Sequence, residues 1–226
     1  MKQALIFGDS YSTFENFIPE GYATYYAPMW GGTDLSRVEE TWWYSLMAEN
    51  KLELVRNDSW SGSTVCYTAY EGVDCSETSS FIYRLETLKH QGFFEEHEID
   101  TVFVFGATND SWNETAQNGE LMLSGWEKKD LYFILPAIGY FFAKLREILP
   151  KAKIYCIVNT DLDAAVTEGL SRAARAYGAK PIMLHDIDKT NNHPTVKGMA
   201  QIKEQVQSSM RGLWGDVPFW GRVYTE

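Results

Sequence analysis

Lys2-Gln3-Ala4-Leu5-Ile6-Phe7-Gly8-Asp9-Ser10-Tyr11-Ser12 sets an apolar run against an abrupt polar exit. Ala4 to Phe7 has the length and composition of one buried strand, and Gly8 lets the chain turn sharply as it leaves the sheet. Asp9-Ser10 then opens the next helix or loop. A serine in that place lies at the carboxyl end of a first parallel strand, where open α/β sheets bind their ligands. Unpaired backbone N–H groups nearby can receive an anion. Alone, the Asp-Ser pair is also a common turn and N-cap, so the rest of the chain has to decide.

The same pattern recurs downstream. Leu52-Glu53-Leu54-Val55 reads as a second strand and runs into Arg56-Asn57-Asp58-Ser59-Trp60-Ser61-Gly62-Ser63-Thr64. Thr101-Val102-Phe103-Val104-Phe105 is β-branched and aromatic throughout, as suits a central strand covered on both faces, and it exits through Gly106-Ala107-Thr108-Asn109-Asp110. Lys153–Val158 and Pro181–Leu184 complete the strands. Helical periodicity falls between them. A helix led by Asp34 or Ser36 carries Trp42, Trp43, Leu46 and Met47 as its apolar stripe. Others cover Ser79–Gln91, Asp130–Leu149 up to Pro150, Asp163–Tyr177 closed by Gly178, and Thr195–Met210. Alternation of this kind predicts a three-layer α/β/α sandwich around a parallel sheet of about five strands.

Residues 1–226 fit one domain. A domain of this size buries roughly 70% of its unfolded surface without a metal or disulfide staple. Two stretches lack a period. The segment from Thr13 to Thr33 holds Phe14, Phe17, Tyr22, Tyr25, Tyr26 and Trp30, a satellite apolar cluster, an oligomer contact or an aromatic wall beside Ser10. Asp110 to Lys129 is long and polar enough to be a site-covering insertion. The tail 212–226 reads as packing on the body or on a second subunit, which invites a homo-oligomer.

The formal net charge of −11, with no basic run, argues against nucleic-acid and anionic-membrane partners. No window reaches the ~20 apolar residues of a membrane span. Nothing at the start resembles a signal peptide, and Cys66, Cys75 and Cys156 are odd in number. Together these favour reduced thiols and a cytoplasmic location, although the Cys66–Cys75 spacing would suit a loop-closing disulfide elsewhere.

A parallel sheet gathers the polar exits of the first three strands on one edge, and His193 precedes the final helix. A hydroxyl, an imidazole and donors aimed at a developing oxyanion are the parts that acyl transfer needs. Four segments in this order resemble the SGNH/GDSL hydrolase family of esterases and lipases. They are Gly8-Asp9-Ser10, with Tyr11 where the family has leucine; Asn57 with Ser61-Gly62-Ser63-Thr64; Gly106-Ala107-Thr108-Asn109-Asp110; and His193-Pro194 with Lys197-Gly198-Met199.

The resemblance implies a flavodoxin-like fold and a serine esterase that cleaves small acyl esters through an acyl-enzyme, with no cofactor and no metal. Ser10 would be the nucleophile and His193 the general base and acid. The backbone N–H groups of Ser10 and Gly62 and the side-chain amide of Asn109 would form the oxyanion hole.

One departure stands out. The family places an aspartate three residues before the histidine, and that position is Thr190. Asp188 takes over if Lys189 to Asn192 form a bulging turn; Asp186 is the other nearby carboxylate, and a backbone carbonyl would leave a Ser–His dyad. The missing aspartate also raises an alternative, a weak or inactive carbohydrate-binding protein on the same scaffold. Abundant Trp and Tyr fit an acetylated sugar as the small-molecule ester, and fit equally a longer acyl group cleaved by a lipase or thioesterase.

Overall fold

Five strands, Lys2–Gly8 (β1), Leu52–Ser59 (β2), Ile99–Phe105 (β3), Lys153–Val158 (β4) and Lys180–Met183 (β5), form one parallel sheet in the order β2-β1-β3-β4-β5. The computed structural model describes residues 1–29 and 32–212. The proposed role of the tail 212–226 as a packing or subunit contact therefore lies outside the described residues, apart from Gly212.

Strand side chains alternate between two buried clusters. Leu5, Phe7, Val102, Val104, Ile154, Cys156 and Val158 face a cluster that includes Phe81–His90 (α2), Ile134–Ile148 (α5) and Ala164–Ala176 (α6). Ala4, Ile6, Phe103, Phe105, Tyr155 and Ile157 face the other, with Tyr44–Glu49 (α1) and Val196–Arg211 (α7). Apolar residues on both strand faces require cover on both sides, which is why this sheet is the middle of three layers. Each fully buried large apolar side chain contributes about 1.5–3 kcal/mol.

Register fixes the functional edge. Gly8 at the end of β1 pairs with Ser59 of β2 on one side and Phe105 of β3 on the other. The exits of these three strands are therefore level, and whatever follows each of them converges.

The helices expected from Asp163 and Thr195 start there, and the one expected from Ser79 starts after Ser80. Ser80, Asp163 and Thr195 each accept a backbone N–H from the first turn of α2, α6 and α7. Other expectations need correction. The helix expected after Asp34 is broken: Val38–Glu40 forms a 3-10 turn and α1 starts only at Tyr44, although Trp42, Trp43, Leu46 and Met47 are buried as a stripe. Asp130 does not cap α5; it sits in a 3-10 turn, Lys128–Tyr132, and accepts the Glu127 N–H. Phe93–Glu96 (α3) and Thr108–Trp112 (α4) are further short helices. The insertion after Asp110 packs along α5: the carbonyls of Gln117 and Asn118 accept from Ile134 and Leu135, and the Met122 carbonyl lies where a Cβ on Gly139 would sit. Cys66, Cys75 and Cys156 are buried free thiols.

Candidate active site

Ser10 stands on a one-turn 3-10 helix, Ser10–Ser12, immediately beyond β1. Asp9 caps the turn by accepting the Tyr11 N–H at 3.1 Å, and the Thr13 hydroxyl donates to the Ser10 carbonyl at 2.9 Å. Gly8 is required for close approach: a Cβ there would lie 2.4 Å from Ser59 Oγ and 2.7 Å from Ser12 Cβ. Asn57, buried on β2, donates to the Ser12 carbonyl at 2.8 Å while its own Oδ1 accepts from Ser59 Oγ at 2.6 Å. The second motif's asparagine thus clamps the serine turn from the neighbouring strand.

Beneath the turn lies a buried charge pair that sequence reasoning missed. Arg84 of α2 donates to Asp58 Oδ2 at 3.0 Å, and also to the carbonyls of Asp58, Gly8 (3.3 Å) and Ser79 (3.0 Å) and to Ser63 Oγ (3.1 Å). Arg56 meets the same carboxylate at 2.8 Å. One guanidinium therefore ties the ends of β1 and β2 to the turn carrying Gly62. The readable signal was an arginine on the apolar side of a helix, beside Ile82 and Leu85.

Gly62 sits at φ +80°, a conformation that favours glycine. Among the described residues the backbone N–H groups of Ser10 and Gly62 donate to no protein acceptor. Asn109 belongs to α4, which begins after Ala107 turns through φ +64°. That left-handed turn is a strained position for a residue with a Cβ. Asn109 Nδ2 donates to the Ser63 carbonyl at 3.0 Å, and its Oδ1 accepts from the Tyr70 hydroxyl at 3.1 Å. The amide is thereby oriented with its N–H₂ toward the Gly62 turn. Asp110, fully buried, accepts from the N–H groups of Val65 and Cys66 at 2.8–3.0 Å and holds the same loop from behind.

Burial pushes the Asp9 carboxyl up to about 6, helped by the charge of Asp110 and opposed by the bond from Tyr11. Its Oδ2 is buried without a hydrogen-bond partner.

His193 comes from a hairpin that was not foreseen. Lys189–Thr190 (β6) pairs antiparallel with His193–Pro194 (β7), and the connecting Asn191 and Asn192 both have positive φ, 51° and 60°. Two left-handed residues in a two-residue loop make the hairpin turn that asparagine tolerates best. His193 Nε2 lies 2.9 Å from Ser10 Oγ, and Nδ1 lies 3.0 Å from the Asn191 carbonyl.

Asp188 does not orient the ring. Its carboxylate accepts from Thr195 Oγ1 and faces Lys197 at 3.8 Å, because residues 189–194 form a regular hairpin rather than a bulge. Asp186 is exposed and bonds His185. Burial holds the His193 imidazole below its ordinary range; the Asn191 carbonyl opposes this and the nearby Lys189 ammonium adds to it.

Aromatic residues hold the hairpin. The Tyr11 hydroxyl donates to the Asn192 carbonyl, Tyr26 donates to the Pro194 carbonyl at 3.1 Å, and Tyr25 stacks on His193 with centroids 3.5 Å apart and planes at 7°. Lys189 anchors the other side by donating to Thr160 Oγ1 at 2.6 Å and to Asp161 Oδ2 at 3.2 Å, beyond the end of β4. The aromatic segment divides accordingly. Phe14 and Trp43 belong to the core cluster under α1 and α7 rather than to a satellite, with the exposed Phe17 against both rings; Tyr25 and Tyr26 serve the histidine, and Tyr22 packs on Trp60 at 4.2 Å beside Ser61-Gly62. Trp30 lies outside the described residues.

A hydroxyl, an imidazole within hydrogen-bonding distance of it, and an oriented amide with free backbone donors occupy one edge, an arrangement capable of acyl transfer. The chain is 38% identical to a Bacteroides ovatus protein classed as a GDSL-like lipase, with a TM-score of 0.85 over 93% of this chain and 98% of that one. A Bacteroides uniformis protein of the same class is 42% identical, with a TM-score of 0.83 over 92% and 94% of the two chains. An acetyl xylan esterase from Butyrivibrio proteoclasticus shares the fold at 17% identity, with a TM-score of 0.57 over 95% of this chain and 65% of that one. None of the curated proteins matches. A model of GDSL-like lipase/acylhydrolases matches residues 2–210, the span that holds every motif on the functional edge. The chain belongs to the GDSL-like lipase/acylhydrolase family.

Proposed function

We propose that the protein is a serine esterase that hydrolyses small acyl esters through an acyl-enzyme, using a Ser10–His193 dyad. The 2.9 Å approach of His193 Nε2 to Ser10 Oγ carries this reading. Ser10 Oγ attacks the ester carbonyl as His193 Nε2 takes its proton. The oxyanion that forms is received by the N–H groups of Ser10 and Gly62 and by Asn109 Nδ2. His193 then gives the proton to the departing alcohol. In the second half, the same nitrogen deprotonates a water that attacks the acyl group and frees Ser10. Throughout, the Asn191 carbonyl accepts from Nδ1–H, so the nitrogen facing Ser10 is the one without a proton in the resting state.

An acetylated carbohydrate is the substrate class we favour. The half-buried pair Tyr22 and Trp60, beside the Gly62 turn, offers ring faces to the C–H surface of a sugar. The fold neighbour named an acetyl xylan esterase is consistent with that class. The test is hydrolysis of p-nitrophenyl esters of increasing acyl length alongside acetylated sugars. Turnover confined to acetyl and other short acyl groups, with acetate released from a sugar, is expected. Preference for long chains would defeat the carbohydrate assignment. Glycan binding without any turnover would favour the non-enzymatic alternative.

A further inference from the structure

A dyad without a carboxylate has lost two things: a partner for Nδ1–H and a negative charge to steady the imidazolium formed during attack. The Asn191 carbonyl replaces the first. A neutral carbonyl dipole replaces the second only in part, and the charged side chain set against the ring is the cation Lys189. Among the described residues, the rings that face His193 are Tyr25, Tyr11 at 5.2 Å and Tyr26 at 6.4 Å. Only Tyr25 lies parallel, its face over the imidazole at 3.5 Å and 7°. Tyr11 is tilted by 54° and Tyr26 by 75°, and both use their hydroxyls on carbonyls of the hairpin.

We propose that Tyr25 is a positioning residue that supplies through its ring face part of what the absent aspartate supplies elsewhere, fixing the imidazole plane and stabilising its protonated form. The inference rests on the Ser10–His193 reading given above. The ring quadrupole presents negative potential to a cation above it, and a cation that appears only during attack is favoured selectively in the transition state. Tyr25 is itself held in place, since its N–H donates to Thr13 Oγ1 at 2.9 Å and Thr13 closes the serine turn. Nucleophile and base are thus aligned through one short chain of contacts. The stack is made by the ring and not by the phenol oxygen, so a phenylalanine retains it.

The experiment compares Tyr25→Phe with Tyr25→Leu by p-nitrophenyl acetate kinetics from about pH 5 to pH 9 and by NMR titration of His193 in the resting protein. Leucine keeps an apolar cover on the ring and removes the π face. Tyr25→Phe is expected to stay within about twofold of the parent, whereas Tyr25→Leu loses roughly 3–30-fold in kcat with KM changed less than about twofold. His193 in Tyr25→Leu should titrate lower than in the parent, and in Tyr25→Phe it should not move. Should Tyr25→Leu fail to fold, Tyr25→Met makes the same comparison. A leucine variant with parental kcat and an unmoved His193 overturns the inference, as does a phenylalanine variant that falls as far as leucine. No turnover by the parent would instead defeat the esterase reading, and the His193 titration, which needs no substrate, would still decide the role of the stack.

Discussion

The two halves of the site are held by different chemistry. Ser10, Gly62 and Asn109 stand directly on the exits of β1, β2 and β3, and buried polar groups lock them: Arg84 with Asp58, Asn57 on the Ser12 carbonyl, and Asp110 on the N–H groups of Val65 and Cys66. His193 stands on a short hairpin outside the main sheet, and its holders are tyrosine hydroxyls, a tyrosine face, backbone carbonyls and the Lys189 ammonium, which meets the exposed Asp161. The serine half is thus fixed by buried charge and directed hydrogen bonds in a dry setting, where losing one partner strands another. The histidine half is fixed by many weaker contacts at an accessible edge. It should tolerate substitution gradually, where the serine half fails abruptly.

Substitutions can break that contrast. The largest effect on rate is expected from the rigid half. Asn109→Ala removes an oriented donor and should lower kcat by roughly 10²–10³-fold in ester hydrolysis. A rate near that of the parent would remove Asn109 from the oxyanion hole. Arg84→Met should cost about 3–5 kcal/mol in a urea titration, because it leaves Asp58 buried with Arg56 alone. A loss under about 1 kcal/mol would mean that the charge pair is not what binds the strand exits together.

Asp9 gives a smaller effect with a definite sign. Its folded value, about 6, lies above its ordinary 3.8. Its contribution is therefore fully present below pH 3.8 and is lost as pH rises through 6, the ionised form being the costly one. Asp9→Asn should raise stability by up to about 3 kcal/mol at pH 8 and much less at pH 4, measured by calorimetry at the two pH values. Equal effects at both would contradict the buried, half-satisfied carboxylate. On the histidine side the expectation concerns pH alone. Burial and Lys189 keep His193 below its usual 6.5, so the acidic limb of kcat/KM should fall below that value. A limb above 6.5 would point to an unseen anionic partner of the ring.

This division also explains what could be read in advance. The sheet, the starts of α6 and α7 and the placing of Ser10, Gly62 and Asn109 at one edge were legible because each part is local: an apolar run, a glycine and a polar exit, repeated at three strand ends. The histidine half was not, because its supports lie far apart in the chain. Tyr11 and Thr190 each depart from the family pattern, and read singly both are only losses. In the structure they are neighbours in effect, since the Tyr11 hydroxyl holds the Asn192 carbonyl in the turn that joins Thr190 to His193. Asp188 was an attractive substitute because spacing in sequence was the only guide. The positive φ of both Asn191 and Asn192 makes the turn a tight hairpin and sends that carboxylate to Thr195 instead. Arg84 escaped notice because a charged residue on an amphipathic helix is ordinarily solvated.

The account turns on a serine activated by an imidazole that no carboxylate among the described residues orients. Its most direct test is fluorophosphonate labelling followed by peptide mass mapping of the parent protein, His193→Ala and Asp188→Asn. A single adduct on Ser10 in the parent, lost in His193→Ala and formed at the parental rate in Asp188→Asn, is the predicted result. Labelling elsewhere, or an Asp188→Asn variant as unreactive as His193→Ala, would contradict it.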